Sequence, residues 1–227
     1  MYSLESAWGT SATDLWAVGS GGTIVHWDGT TVTAQTRGTA DLHDLWGVPS
    51  GPIWMVGDGG TVLRMDPAGA ITDSASGVTA DLYRVWGSSG SNIWAAGDLG
   101  TLIHYDGKTW TTANSQTGQP LYALGAGNAS EVWAAGRSGT MIRSYSSGWT
   151  LLSSGTTYPL QAVWGTDAAA IWATAGDGTI LRRDSSGWTP QQSNTRASLS
   201  SLWGSGTLLA TPVGGTHFVE PGYDTAI

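Results

Sequence analysis

The feature that most constrains this chain is a unit of about 39 residues that occurs six times in succession. A Gly-Thr pair marks each copy, and successive pairs are separated by 38, 40, 39, 39 and 37 residues. The pairs are Gly22-Thr23, Gly60-Thr61, Gly100-Thr101, Gly139-Thr140, Gly178-Thr179 and Gly215-Thr216. Self-similarity at a fixed period predicts an architecture in which one supersecondary unit is stacked against the next.

Two further motifs recur in register with the Gly-Thr pair. The sequence Leu-x-x-apolar-Trp-Gly begins at Leu4, Leu42, Leu82, Leu160 and Leu199, and Gly125-Ala126 replaces its Trp-Gly in the fourth copy. Trp-Ala-x-Gly or a close variant begins at Trp16, Trp54, Trp94, Trp133 and Trp172. Between them, β-branched and aromatic runs alternate with Gly, Asp and Ser turns, which is typical of short strands joined by hairpins.

The third copy shows the pattern of one unit most clearly. Strand-like runs occupy residues 82–86, 93–96 and 101–105, and a fourth begins at Thr109. Four short strands in about 39 residues are typical of one β-propeller blade. The sequence therefore predicts an all-β, six-bladed β-propeller with four short antiparallel strands per blade, forming a single domain over residues 1–227. The predicted blades are residues 3–39, 40–79, 80–118, 119–157, 158–196 and 197–227.

Tryptophan is the natural packing residue between such blades, and the chain contains 14 of them. Burying one indole removes roughly 150–250 Å² from water. We expect a blade-to-blade core formed by Trp8, Trp46, Trp54, Trp86, Trp94, Trp133, Trp164, Trp172 and Trp203. We expect partial exposure of Trp27, Tyr105, Trp110, Trp149 and Trp188.

The turn motif of the third copy also resembles a known kind of repeat. Gly97-Asp98-Leu99-Gly100-Thr101, followed by Asp106-Gly107-Lys108-Thr109-Trp110, is similar to the Asp-box (BNR-like) propeller repeats. It is most similar to the photosystem-assembly-factor type found in many bacterial surface and secreted proteins. The resemblance implies a propeller in a secreted, cell-surface or periplasmic setting, but it transfers no activity. It also implies that the matching aspartates, Asp28, Asp66, Asp106 and Asp184, form turns.

Composition narrows the classes of partner. Nine Lys and Arg residues against seventeen Asp and Glu residues give a net charge of −8, which disfavours binding to nucleic acids and to anionic membranes. No apolar run approaches the roughly 18 residues of a membrane-spanning helix. Cysteine is absent, and the four histidines (His26, His43, His104, His217) lie in separate blades. We therefore expect neither a metal site nor a cofactor.

Short turns without insertions argue against catalysis, because enzymes on rigid scaffolds usually carry their chemistry on elaborated loops. One repeat position does hold a basic residue in five copies: His26, Arg64, His104, Arg143 and Arg182. Pairing with a neighbouring aspartate or backbone carbonyl is the favoured interpretation of that position. The alternative is a ring of ligand-binding donors.

Positions that vary among the copies are free to serve function, and the two residues after each repeat-start leucine vary most. We expect them at one mouth of the central channel, as a ligand-binding surface formed by Glu5, His43, Asp44, Tyr83, Arg84, Tyr122 and Gln161. In the fourth copy, the loss of a tryptophan predicts a small pocket near Tyr122 that involves Gly125, Arg137 and Trp164.

The most favoured function is a non-catalytic, monomeric binding module that recognises a partner protein or a glycan through the propeller face. Abundant Trp and Tyr could stack on sugar rings, and equivalent sites in several blades would give avidity. The alternative is a hydrolase or lyase at the channel mouth, with titratable groups converging around His43, Asp44 and Arg84.

Overall fold

A computed structural model describes residues 3–128, 131–165, 171–184, 187–204, 208–211 and 218–219. Their regular structure consists of β-strands and four short 3-10 turns. No helix in this part of the chain has the length and apolar character needed to cross a membrane. The chain divides into two compact units, residues 1–113 and residues 114–227.

The first unit contains three antiparallel sheets of four strands, each following chain order. The first sheet comprises β1 (Leu4–Ser11), β2 (Asp14–Gly19), β3 (Thr23–Trp27) and β4 (Val32–Thr36). The second comprises β5 (Leu42–Gly47), β6 (Ile53–Gly57), β7 (Val62–Met65) and β8 (Ile71–Asp73). The third comprises β9 (Leu82–Ser89), β10 (Asn92–Gly97), β11 (Leu102–Tyr105) and β12 (Trp110–Thr112).

The second unit contains two further four-stranded sheets and one sheet of three strands. The fourth sheet comprises β13 (Leu121–Asn128), β14 (Glu131–Gly136), β15 (Met141–Tyr145) and β16 (Gly148–Leu152). The fifth comprises β17 (Leu160–Gly165), β18 (Ile171–Ala175), β19 (Ile180–Asp184) and β20 (Gly187–Gln191). The sixth comprises β21 (Ser201–Gly204), β22 (Leu208–Thr211) and β23 (Phe218–Val219).

The predicted all-β class, with four antiparallel strands per repeat, is confirmed for the first five repeats. In the sixth repeat the described residues form three strands, and the predicted fourth strand lies outside the described part of the chain. The core role predicted for the Trp203 side chain lies outside the described part of the chain.

The recurring Gly-Thr pair has a steric origin. In the first four sheets a 3-10 turn joins the second and third strands, and its last residue is a glycine with φ between +68° and +74°. Only glycine adopts this region without strain. At Gly60, an added Cβ would also overlap the carbonyl oxygen of Val78.

Paired tryptophans pack between successive sheets, as predicted. Trp46 and Trp54 lie directly opposite each other on β5 and β6, and the same register pairs Trp8 with Trp16 and Trp86 with Trp94. Trp54, Trp133 and Trp172 are buried, and the other described tryptophans of the predicted core are partly buried: Trp8, Trp46, Trp86, Trp94 and Trp164. The apolar cores between neighbouring sheets within each unit include six of these tryptophans: Trp8, Trp46, Trp54, Trp133, Trp164 and Trp172.

The expected partial exposure of Trp149 is wrong, because this side chain is only 8% exposed. The same repeat position holds Trp110 and Trp188 in other sheets. Both turn inward and pack edge-on, Trp110 against Trp54 and Trp188 against Trp133. The fourth-strand tryptophan is thus an inward-facing position, although Trp110 and Trp188 remain partly exposed, as expected.

Candidate functional site

A β-bulge recurs at the start of the first strand in all five four-stranded sheets. In the first sheet Leu4 pairs with Gly19 and Ser6 pairs with Val18, so that Glu5 is left between two paired residues. The equivalent residues of the next four sheets are His43, Tyr83, Tyr122 and Gln161. A bulge of this kind re-aims the side chain of the extra residue. Five of the seven residues predicted for the channel mouth are these bulge residues.

In the first unit, His43 lies at the centre of a polar cluster formed by three sheets. Its Nε2 atom lies 2.7 Å from Asp58 Oδ1, and its Nδ1 atom lies 3.6 Å from Glu5 Oε2. The imidazole ring also contacts the Tyr83 ring, with 5.6 Å between ring centroids. The side chain of His43 is 19% exposed, whereas those of Glu5 and Asp58 are 40% and 45% exposed. The cluster is therefore ordered and still accessible from solvent.

Asp44, the residue after the bulge at His43, links the first strands of three sheets. Its carboxylate accepts a 2.6 Å hydrogen bond from Ser6 Oγ and a 3.0 Å hydrogen bond from the backbone N–H of Val85. Burial of this carboxyl group raises its pKa, and the charge of Arg84 acts in the opposite direction. Arg84 also donates a 2.8 Å hydrogen bond to the carbonyl oxygen of Tyr83. Asp44 and Arg84 thus stabilise the chain around the bulge residues through hydrogen bonds to Ser6, Val85 and Tyr83.

Two further aspartates connect neighbouring sheets: Asp41 links the second sheet to the first, and Asp81 links the third sheet to the second. Asp41 Oδ1 accepts a 2.7 Å hydrogen bond from the N–H of Gly21, and Asp81 Oδ1 accepts a 2.8 Å bond from the N–H of Gly59. This role was not predicted from the sequence. The available signal was an aspartate directly before a repeat-start leucine, in Asp41-Leu42 and Asp81-Leu82.

In the second unit, Tyr122 and Gln161 are the partly buried bulge residues of the fourth and fifth sheets. Gly125 lies opposite Trp133, where other sheets place a tryptophan. A Cβ at Gly125 would overlap the carbonyl oxygen of Val163 and lie 3.1 Å from its Cγ1 atom. The volume beside Gly125 is therefore filled by the close approach of β17.

The other residues of the predicted pocket lie apart from that position. Arg137 is exposed, and its N–H donates a 2.9 Å hydrogen bond to the carbonyl oxygen of Pro120, before β13 begins. Trp164 packs against the core of Trp172 and Leu202. Gly125 lies midway along β13, so these contacts give no support to a shared cavity at that residue.

The basic residue of the third strand stacks on the tryptophan of the second strand. The rings of Trp16 and His26 lie 3.9 Å apart at 10°, and those of Trp94 and His104 lie 4.3 Å apart. Arg64, Arg143 and Arg182 cover indoles in the same way, with guanidinium-to-ring distances of 5.2 to 5.8 Å. The predicted pairing with neighbouring carboxylates is also present, at 2.9 Å for His26 and Asp14 and 2.8 Å for Arg143 and Glu131. The stacking on tryptophan was not predicted from the sequence.

A groove of about 410 Å³ lies between the first and second sheets. Its apolar walls include Trp8, Trp16 and Met65. Tyr105 is the third-sheet residue equivalent to Met65, and it fills the next gap by packing at 4.6 Å from Trp54. The groove thus lies at the repeat that carries the smaller of these two side chains.

The bulges and the short turns form a scaffold that presents variable side chains at one edge of each sheet. The described residues contain no group of three His, Cys, Asp or Glu side chains arranged to hold a metal ion. The predicted turn role is confirmed for the repeated aspartates Asp28, Asp66 and Asp106, whose carboxylates accept backbone N–H groups two to four residues later.

Comparison with solved structures identifies the fold. The chain superposes on a structure described as YCF48 bound to D1 peptide with a TM-score of 0.70 and 15% identity, covering 97% of this chain and 81% of that one. It superposes on the extracellular domain of the hybrid two-component system BT3049 from B. thetaiotaomicron with a TM-score of 0.75 and 11% identity. That match covers 92% of this chain and 32% of the other, so the chain spans about a third of it. No protein-family profile and no curated sequence matches the chain. The fold is a β-propeller of the type seen in the photosystem assembly factor.

Proposed function

We propose that this chain is a non-catalytic β-propeller that binds an extended segment of a partner protein at its first-strand edge. We define that edge in the first unit by Glu5, His43, Asp58 and Tyr83. The observation that carries the proposal is the bulge repeated at one register, which places the most variable residues of the repeats at the same end of each sheet. Tyr122 and Gln161 occupy the equivalent bulge positions in the fourth and fifth sheets, which belong to the second unit.

The chemistry of this edge suits a peptide. It combines carboxylates, an imidazole and a phenol, all partly accessible, with backbone that is held in place by Asp44. A rigid scaffold limits the conformational entropy that is lost on binding. A propeller of the same fold, YCF48, has been solved with a D1 peptide bound, which supports a protein partner over other classes.

A glycan is the less favoured ligand. Sugar rings stack on exposed aromatic faces, whereas His26 and His104 cover faces of Trp16 and Trp94. The cation of Arg143 likewise lies over Trp133. Stacking of this kind removes the surfaces that repeated sugar sites would use.

A hydrolase or lyase at the same edge is also less favoured. Such an enzyme requires His43, Asp44 and Arg84 to act on one substrate. Asp44 is instead occupied by Ser6 and Val85, and Arg84 by the carbonyl oxygen of Tyr83.

The proposal also includes a single six-bladed ring over residues 1–227, a monomeric state, and a secreted, cell-surface or periplasmic location. Sedimentation equilibrium of the full chain measures its oligomeric state directly. A dimer mass would contradict the monomer, and the peptide experiment below is independent of that result.

The test is an array of random 15-residue peptides probed with labelled protein. The strongest binder is then resynthesised with fluorescein and titrated by fluorescence anisotropy. Tyr83→Ala should weaken its binding about tenfold or more, since buried tyrosines are frequent hot spots at interfaces. Tyr145→Ala is the matched control, because Tyr145 is 43% exposed at the opposite end of its strand from the 3-10 turn. Equal binding by wild type and Tyr83→Ala, or no peptide bound at all, would refute the proposed function.

A further inference from the structure

The middle residue of each 3-10 turn adopts a left-handed conformation, and in the third sheet that residue is a leucine. The φ angles are +64° at Gly21, +61° at Gly59, +54° at Leu99 and +56° at Ser138. A side chain with a Cβ is disfavoured here, and a bulky one more so. Glycine occupies the position without strain in the first and second sheets, so the turn itself does not require leucine.

The Leu99 side chain gains little packing in return for this conformation. It is 72% exposed, and the large exposed side chains Val32 and Leu4 follow at 66% and 54%. Burial of an apolar side chain normally offsets local strain, and at Leu99 this contribution is small. Backbone strain that the fold does not use is found most often where a partner or ligand binds.

The turn that carries Leu99 lies at the first-strand edge. The N–H of Asp98 donates a 2.8 Å hydrogen bond to the carbonyl oxygen of Asp81, immediately before β9 begins. Gly97 pairs with Leu82, the residue before the bulge at Tyr83. Leu99 therefore projects from the same end of the third sheet that presents Tyr83.

We propose that Leu99 is an apolar anchor for the partner segment, and that this segment places an aliphatic or aromatic side chain beside a lysine or arginine. This inference rests on the proposed function. The apolar contact is with Leu99, and the basic side chain complements the carboxylates of the same edge: Glu5, Asp58 and Asp98. Strain and exposure at Leu99 are retained because the leucine acts on a partner and not on the fold.

The proposal predicts that one substitution, Leu99→Gly, raises thermal stability and lowers peptide affinity. Leu99→Gly removes both the left-handed strain and the exposed apolar side chain, so the midpoint of thermal unfolding should rise by about 2–4 °C. The same substitution should weaken binding of the fluorescein-labelled array peptide about tenfold. A merely structural role for Leu99 could not produce a gain in stability together with a loss of affinity.

Ser138→Gly is the matched control, because Ser138 has the same conformation in the fourth sheet without an apolar side chain. It should raise the unfolding midpoint and leave peptide affinity unchanged. The peptide is tested in two further forms, with its apolar residue replaced by serine or its basic residue replaced by glutamine, and each replacement should weaken binding to wild type.

Unchanged affinity of Leu99→Gly for the peptide would overturn this inference. If Tyr83→Ala loses binding in that case, the proposed function stands and only the anchor role of Leu99 fails. If Tyr83→Ala and Leu99→Gly both bind like wild type, the proposed function and this inference fall together.

Discussion

The Trp8 indole packs directly against Gly47 of the next sheet: a Cβ added to Gly47 would lie 2.9 Å from Trp8 Cη2. Trp46 and Gly87 repeat this relationship one sheet later, with 2.7 Å between the added Cβ and Trp46 Cζ3. The recurring Trp-Gly dipeptide thus serves two interfaces. Its tryptophan packs onto the following sheet, and its glycine receives the tryptophan of the preceding one.

Gly47→Ala should destabilise the protein by about 1–3 kcal/mol, because the new methyl group overpacks the contact with Trp8 and with the Ile53 side chain. The free energy of unfolding from urea titrations measures the effect. Gly118→Ala is the control, since no atom lies within 4 Å of a Cβ added there and its φ is not in the left-handed region. A loss at Gly47 no larger than at Gly118 would contradict the packing described here.

Filling the groove between the first and second sheets should stabilise the protein. Met65→Tyr combined with Ile71→Trp copies the pair Tyr105 and Trp110 of the third sheet onto the equivalent positions. Because that pair packs against Trp54, the double variant should pack against Trp16 and gain about 1 kcal/mol in the free energy of unfolding. Ile71→Val provides the opposite change and should lose about 0.5–1.5 kcal/mol. Equal stability of wild type, the double variant and Ile71→Val would show that the groove is not a packing defect.

The repeat pattern was sufficient to predict the strands, because each is bounded by turn residues and carries its apolar residues at fixed positions. The third repeat was predicted to within a few residues: the expected 93–96 became Asn92–Gly97, and 101–105 became Leu102–Tyr105. Glu5, His43 and Tyr83 were found through their variability. Their bulges were not, because an extra residue in a strand becomes visible only when both partner strands are aligned.

Packing between sheets was predicted less well than the sheets themselves. Gly125 was interpreted as a missing side chain that leaves a void, which assumes a fixed backbone. The neighbouring strand instead moves into that volume through Val163. Asp44 and Arg84 were placed at the binding surface from their sequence position, whereas their hydrogen bonds direct them to a supporting role. These outcomes depend on distances between strands, which one sequence does not contain.

The turn aspartates should make the fold sensitive to acid. The backbone N–H groups of Thr109 and Lys108 hold the pKa of Asp106 below its ordinary value of 3.8. A lowered folded-state pKa contributes stability that is present above 3.8 and is lost as the pH falls through the folded-state pKa. Asp106→Ala should therefore lower the unfolding midpoint at neutral pH, and its difference from wild type should shrink below 3.8. Circular dichroism melts across this range test it.

Asp73→Asn is the control for the acid experiment, because Asp73 is 78% exposed in an ion pair with Arg37 and such pairs contribute little. Its melting midpoint should follow that of wild type at every pH. A constant offset between Asp106→Ala and wild type down to the lowest pH would show that the turn hydrogen bonds do not depend on the charge of Asp106.

The buried carboxyl group of Asp44 should have the opposite pH dependence. Burial raises its pKa in the folded state, so the charged form costs stability above the unfolded-state value of 3.8. As the pH rises from 3.8 through the raised pKa, Asp44 therefore removes stability from the wild-type protein. Asp44→Asn removes this titration while it keeps a side-chain oxygen that can accept from Ser6 or Val85. Its free energy of unfolding should fall less than that of wild type as the pH rises from about 4 to about 7.

Asp44→Ala lacks the acceptor as well and should be less stable than Asp44→Asn at every pH, by about 1–3 kcal/mol. If the free energy of unfolding has the same pH dependence in wild type and Asp44→Asn, the charge of Asp44 is solvated and is not buried between the three sheets.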